Sequence, residues 1–269
     1  MDPQRYYESL FAERERLASG VGRLEFERTC DILHRVLRKP PARIMDVGGG
    51  PGIYACHFAS RGYEVFLIDP VPLHVQQAAE ASALQFSHPI ARMEVGDARA
   101  LPAADASQDA VLLLGPLYHL IKPEERAKAL REARRVLKPD GVLAAAAISR
   151  HASLFDGLAR GLIDDPVFMD ILARDLKDGS HENPTGHPQY FTAAYFHLPE
   201  EFIQEIQACG FPSVRVFAVE GPGWVAADLE QRLVDPARRE QLMQLLRQIE
   251  SQPGLIGCSM HMLAIALTQ

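Results

Sequence analysis

The chain has 269 residues, with 28 Lys and Arg against 35 Asp and Glu, for a net charge of -7. That acidity argues against a nucleic-acid backbone or an anionic membrane surface as the main partner, and no apolar run reaches the length of a membrane span. The charged N-terminus, MDPQRYYESLFAERERL, does not read as a secretory signal, and Cys30, Cys56, Cys209 and Cys258 form no CxxC pair, so the expected setting is a reducing cytoplasm.

Residues 5–18 and 23–38 show helical spacing, the second with Leu24, Phe26, Cys30, Leu33 and Leu37 on one side, and Pro40-Pro41 ends that region. Arg43–Val47 reads as a short apolar strand, 52–61 as a helix, and Tyr63–Ile68 as a second strand. A helix over 71–84, an extended segment at Arg92–Val95 and a strand at Asp109–Leu114 follow. Pro123–Leu137 is amphipathic, and Gly141–Ile148 (GVLAAAAI) is a strand. Strands alternating with helices imply βαβ units and a parallel sheet, and the unbroken apolar character of the later strands implies cover on both faces. A long segment, 149–198, then precedes a helix at 199–209, a strand in VRVFAVEGPGW, another helix, and a last strand in SMHMLAIAL.

Between the first strand and helix, four glycines occupy five positions: Gly48, Gly49, Gly50 and Gly52. Glycine costs roughly 1 kcal/mol against alanine in a helix, so the turn needs bare backbone. It lies at the carboxyl edge of the sheet, where open α/β folds bind ligands. The dinucleotide pattern GxGxxG fails because Ile53 stands where the third glycine belongs, and Pro51 removes a donor that pyrophosphate would use. No GK[ST] follows, which excludes a phosphate P-loop. The pattern that fits is DxGxGxG, from Asp46 to Gly52.

Four segments in order, DVGGGPG (46–52), LIDP (67–70), GDARALP (96–102) and ALREARRVLKPDGVL (129–143), resemble the class I S-adenosylmethionine-dependent methyltransferases, and most of all the bacterial group acting on quinones and other small molecules. The resemblance is strong over 42–148 and weak elsewhere. Two departures are Asp140, where that turn has glycine, and Gln108, where an aromatic residue precedes Asp109. It implies a Rossmann-like doubly wound sheet of seven mostly parallel strands with an antiparallel last strand. It also implies one methyltransferase domain: an N-terminal helical cap (1–40), a cofactor-binding core (41–148), a lid or substrate insertion (149–198) and the C-terminal part of the sheet (199–269).

The cofactor implied is S-adenosyl-L-methionine. Asp46 and the four glycines would lie beside its methionine portion, Asp69 and Pro70 at the ribose, and Asp97 and Ala98 at the adenine. Leu114 and Gly115 would lie where methyl donor and substrate meet. Tyr7, or an arginine of the same leading helix such as Arg14 or Arg16, would reach over the cofactor; the alternative is that this helix packs its aromatics on the sheet. Each aspartate alone also suits a turn or helix cap; together, at successive strand ends, they point to one site.

Tyr118 and His119 follow the fourth strand. His119 has the chemistry of a general base, or it orders the loop. The insertion leaves the carboxyl edge, so it is expected to cover the site as a lid and to offer His187, Tyr190 and Phe191 to the substrate, with Trp224, the single tryptophan, as pocket wall or core cover. HENPTGH matches no strong zinc spacing, and no metal is expected. Met260 and His261 fall at the same rim. The function expected is methyl transfer to a small-molecule acceptor, with no nucleic acid and no membrane, and a homodimer left open. The alternatives are another reaction of the same cofactor, such as intramolecular cyclisation, or a non-catalytic cofactor-binding partner protein.

Overall fold

The computed structural model describes residues 16–268. Most of the leading helix, with Tyr7 and Arg14, lies outside the described residues. Helix α1 (Gly20–Val36) leads into β1 (Arg43–Val47), followed by α2 (Ile53–Ala59), β2 (Glu64–Asp69), α3 (Pro72–Ala83), β3 (Arg92–Val95) and β4 (Gln108–Leu113). A single helical turn, α4 (Pro116–His119), precedes α5 (Pro123–Val136) and β5 (Leu137–Ser149). The insertion carries α6 (Ala152–Arg160), α7 (Pro166–Asp178) and two short strands, β6 (Ser180–His181) and β7 (Ala194–His197). The chain ends with α8 (Pro199–Ala208), β8 (Ser213–Ala218), α9 (Leu229–Val234), α10 (Pro236–Ile249), α11 (Pro253–Ile256) and β9 (His261–Leu267).

The sheet runs β3-β2-β1-β4-β5, all parallel. Beyond β5, β9 pairs antiparallel with it and β8 pairs antiparallel with β9. These seven strands make the expected doubly wound arrangement, and β7 and β6 of the insertion extend the sheet beyond β5 to nine strands. Its strands are apolar throughout because each feeds two cores. Met45, Val111, Leu113, Leu143 and Ala145 face one layer with Leu130 and Phe202; Ile44, Ala110, Leu112, Val142 and Ala144 face the other with Ile32, Leu33 and Phe58. Asp140 takes the left-handed backbone, φ 59°, at the turn where the family has glycine; aspartate is one of the few residues that tolerates it.

The insertion differs from the loop-like lid that its length suggested. It has its own small core of Phe168, Ile171, Leu172 and Tyr190, and β7 joins the main sheet beside the upper end of β5, at Ile148↔Phe196 and Ser149↔His197. Arg150 locks the join, donating to the Phe196 carbonyl at 2.9 Å and pairing with Glu201 at 2.6 Å. Gly179 passes so close that a Cβ there would stand 2.2 Å from the Phe196 carbonyl oxygen, which requires glycine. No helix among the described residues is long and apolar enough to cross a membrane.

Candidate functional site

A cavity of about 360 Å³ opens at the carboxyl edge of the sheet. Its floor is the turn after β1. Three of its glycines, Gly48, Gly50 and Gly52, have φ of 68°, 54° and 81°. A Cβ at Gly50 would meet nothing within 4 Å, so the space above it belongs to the cavity. Gly52 does not line the cavity; a Cβ there would come within 2.9 Å of Ala78, so it sets the approach of α2 to α3. The turn's donors are already used. The Gly48 and Gly49 N–H groups donate to the Ile68 carbonyl at 2.7 and 3.2 Å, Gly50 to Asp69 Oδ2 at 2.8 Å, and Gly52 to the Gly49 carbonyl at 3.1 Å. With Pro51 between them, none of these N–H groups is left for a phosphate.

Asp46, Asp69 and Asp97 all reach this cavity, with Pro70, Ala98, Leu114 and Gly115. Asp46 is 1% exposed. Burial first, then the neighbouring charge of Asp69, pushes its carboxyl up to about 7, against an Ala55 N–H bond that favours the ionised form. Its Oδ2 has no hydrogen-bond partner among the described residues. Asp69 ties two segments together: Oδ2 accepts from Gly50, while Oδ1 accepts from the Val71 N–H at 2.9 Å and meets His74 Nδ1 at 3.1 Å. A carboxylate offers about four acceptor sites, so one on Oδ2 remains for a ligand hydroxyl. Asp97 is gripped by Arg99, whose Nε and N–H donate to Oδ1 at 2.9 and 2.8 Å. That hydrogen bonding, offset by partial burial, lowers its pKa.

On the other side of β1, Tyr118 and His119 line the same cavity from α4. Their rings lie 4.6 Å apart, and the Phe191 ring stands 5.9 Å from that of His119. Burial drives the imidazole down to about 4, against an Ala193 backbone hydrogen bond and the charge of Asp69. The ring is therefore neutral at pH 7, free to accept a proton but a weaker base than an ordinary imidazole.

None of the insertion's expected contributors, His187, Tyr190 and Phe191, lines the cavity; Phe191 comes nearest, its ring behind that of His119. Tyr190 is buried, its hydroxyl on Asp165 and its ring 5.8 Å from Phe168. His187 is exposed and accepts from the Gln189 N–H. His181 is held by Asp175 at 2.9 Å and the Tyr190 carbonyl at 2.7 Å, and His197 by Glu205 at 2.9 Å. Trp224 does not wall the cavity: its Nε1–H donates to the Cys258 carbonyl at 3.1 Å and its ring lies against Phe155. Apart from the exposed His187, these residues pack the insertion and the C-terminal segment, so their aromatic character serves burial.

Residues that the motifs did not mark also line the cavity, among them Leu17, Glu25, Tyr54, His74, Arg99 and Glu125, along with Arg16 of the leading segment. His74 and Arg99 follow motif aspartates within five residues and were open to inspection. Glu25 and Glu125 arrive through packing of α1 and α5, which no local pattern announces. Five carboxyl groups face two arginines here. That balance, the spent turn donors and the unpartnered Asp46 oxygen suit a ligand carrying positive charge and hydroxyls, and oppose a pyrophosphate.

Residues 45–145 match the protein family described as Methyltransferase domain. An uncharacterised methyltransferase of Mycobacterium tuberculosis is 34% identical over 130 residues, 46% of this chain and 49% of the relative. An S-adenosyl-L-methionine-dependent Diels-Alderase of Talaromyces variabilis is 28% identical over 170 residues, 51% of this chain and 56% of that one. The chain thus spans about half the length of the curated relatives it matches. Among solved structures, a SAM-dependent methyltransferase of Methanosarcina mazei superposes with a TM-score of 0.59 at 21% identity, over 88% of this chain and 96% of that one.

Proposed function

We propose that this chain, whose residues 45–145 match the Methyltransferase domain family and whose fold is shared with a solved SAM-dependent methyltransferase, binds S-adenosylmethionine in the cavity and transfers its methyl group to a small-molecule acceptor. One observation carries the reading: Asp46, Asp69 and Asp97, from the ends of three neighbouring strands, meet the glycine turn around one cavity whose N–H groups are spent and whose acceptors remain. The residues present fit that cofactor. Asp69 Oδ2 takes a ribose hydroxyl, Asp97 the adenine amine, and the acid-rich floor accommodates positive charge.

When bound, the cofactor supplies a methyl group made electrophilic by the sulfonium. The chain has to align the acceptor with it and exclude water. Leu114, Gly115 and the α4 turn form the wall between the two halves, with Phe191 behind His119. The neutral imidazole of His119 would take the proton that a hydroxyl or amine acceptor gives up when the methyl group passes from sulfur to it. Calorimetry with S-adenosylhomocysteine, followed by transfer of labelled methyl from S-adenosylmethionine, tests the reading. Tight NAD binding in place of S-adenosylhomocysteine binding overturns it.

The likeness to the Talaromyces enzyme favours one second reading, a cyclisation on the same scaffold in which the cofactor keeps its methyl. Product mass separates the two: methyl transfer adds one methyl group, and cyclisation leaves the mass unchanged.

A further inference from the structure

The sheet order places a second set of charged residues at the opposite end of the site from the nucleoside acids. Asp69 and Asp97 follow β2 and β3, on one side of β1; β9 and β8 lie beyond β5, on the other. Because β9 runs antiparallel, its first residue, His261, stands at the carboxyl edge beside Ile148. Glu220 follows β8 there, and α1 lays Glu25 against both.

Glu220 is fully buried and satisfied by its own chain. Oε2 accepts from Ser259 Oγ at 2.7 Å and the His261 N–H at 2.9 Å, and Oε1 meets His261 Nδ1 at 2.6 Å. Nδ1 also lies 3.6 Å from Glu25 Oε2. Arg16 forks onto both oxygens of Glu25 from the near side, its Nη2 3.0 Å from Oε1. Burial alone would lower the imidazole's pKa, but Glu25 and Glu220 outweigh it and raise it to about 9. Burial likewise works against the charge on Glu25, and Arg16 and His261 overcome it, so its pKa is lowered. Only the outer pair, Arg16 and Glu25, lines the cavity.

A buried ion pair is weak grounds for stability, since desolvation offsets its Coulomb gain. Perturbed groups beside a cleft are instead a mark of function. Glu25, Glu220 and His261 are close enough for a metal, their ligand atoms within 4.8 Å of one another. The contacts oppose that use: Glu220 already has three donors from its own chain, and Arg16 stands where a cation would enter.

We propose that Glu25, held by Arg16 and by the buried Glu220–His261 pair, anchors the methyl acceptor and selects a molecule that offers it a hydrogen-bond donor, an amine or a hydroxyl, on an apolar ring or chain. The inference rests on the methyl-transfer reading. An ionised carboxylate only accepts hydrogen bonds. Among the described residues Arg16 takes two of about four acceptor sites, and His261 is beyond hydrogen-bond reach of Glu25, so sites remain there for a ligand. Leu17, Tyr54, Leu114 and Leu120 supply the apolar wall around it. The Glu220–His261 pair acts through Glu25 as a positioning pair.

The test uses the full chain saturated with S-adenosylhomocysteine and three probes of similar size: benzylamine, phenol and benzoate. Calorimetry and thermal shift should show the amine or the phenol binding and benzoate not binding. Glu25→Gln should weaken that probe at least tenfold, and by more than it weakens S-adenosylhomocysteine. Glu220→Gln should weaken the probe by less and should lower the His261 pKa read by NMR, a shift that a merely structural role for Glu220 would not pair with probe affinity. Binding of benzoate in preference, unchanged probe affinity in Glu25→Gln, or binding of none of the three overturns the proposal and leaves the cofactor reading standing. Failure to bind S-adenosylhomocysteine at all sinks the methyl-transfer reading instead. Circular dichroism of each variant confirms that a lost signal is not a lost fold.

Discussion

The two halves of the cavity are built on different principles. The nucleoside half comes from strand ends and the turns that follow them: Asp46, Gly48 to Gly50, Asp69, Asp97. Each is tied to its neighbours by hydrogen bonds a few residues away or on the adjacent strand, such as Gly48 to Ile68 and Asp69 to Val71. The acceptor half comes from Arg16, Glu25 and the α4 turn, backed from behind by Phe191 and His261, which do not line the cavity themselves; packing brings these residues together from 16 to 261. Local hydrogen bonding leaves a motif in the sequence, whereas assembly by packing does not. On the reading above, the conserved demand of one cofactor can be met by a fixed frame, and the acceptor by whatever surrounds it.

The largest expected effect falls at the seam. His119→Ala should lower turnover about 10²–10⁴-fold if the imidazole takes the acceptor proton, with S-adenosylhomocysteine affinity barely changed. Because burial holds the ring at about 4, the acid limb of the wild-type rate belongs near that pH and not near 6.5, and it should vanish in the variant. A rate that instead falls in step with cofactor affinity would move His119 into the nucleoside half. Next in size is Phe168→Ala, which empties the insertion's own core and should cost about 3–5 kcal/mol locally. Hydrogen exchange should then rise across 152–197 and stay low across 43–148. If both regions loosen together, the insertion is not a separable unit.

Asp69→Asn should cost about 1–3 kcal/mol in S-adenosylhomocysteine binding, read by calorimetry. It should also lower the melting temperature, because the same carboxylate holds Gly50, Val71 and His74. Unchanged affinity would remove the ribose assignment. This double duty marks the limit of what the sequence disclosed. The strands and the glycine turn were legible because alternating periods and the DxGxGxG spacing are local signals, whereas the order of the strands in the sheet came only with the family resemblance. The insertion's histidines and tyrosines looked like site residues because composition does not say which way a side chain faces. Asp175, Asp165 and Glu205 turn His181, Tyr190 and His197 inward, and Phe191 packs behind His119 without lining the cavity. Glu25 gave no signal because one face of α1 serves both core and cavity.

The smallest effect separates the halves by pH. His261 is raised from 6.5 to about 9 by the two carboxylates, against its burial. The folded chain therefore binds this proton more tightly than the unfolded chain. The stability it contributes is complete below pH 6.5 and is lost as the pH rises through about 9. His119 runs the other way: its folded form resists protonation, so stability falls as the pH drops from 6.5 towards 4. Melting temperatures of wild type and His261→Gln, measured between pH 6 and 10, should differ most at the acid end of that range and converge at the alkaline end. His119→Gln should converge with wild type above pH 6.5 after a constant packing offset and diverge below it. Parallel curves for His261→Gln at every pH would mean that the imidazole carries no extra proton in the folded chain. Glu25 would then lose one of the two cations that hold it charged, and the acceptor half would rest on Arg16 alone.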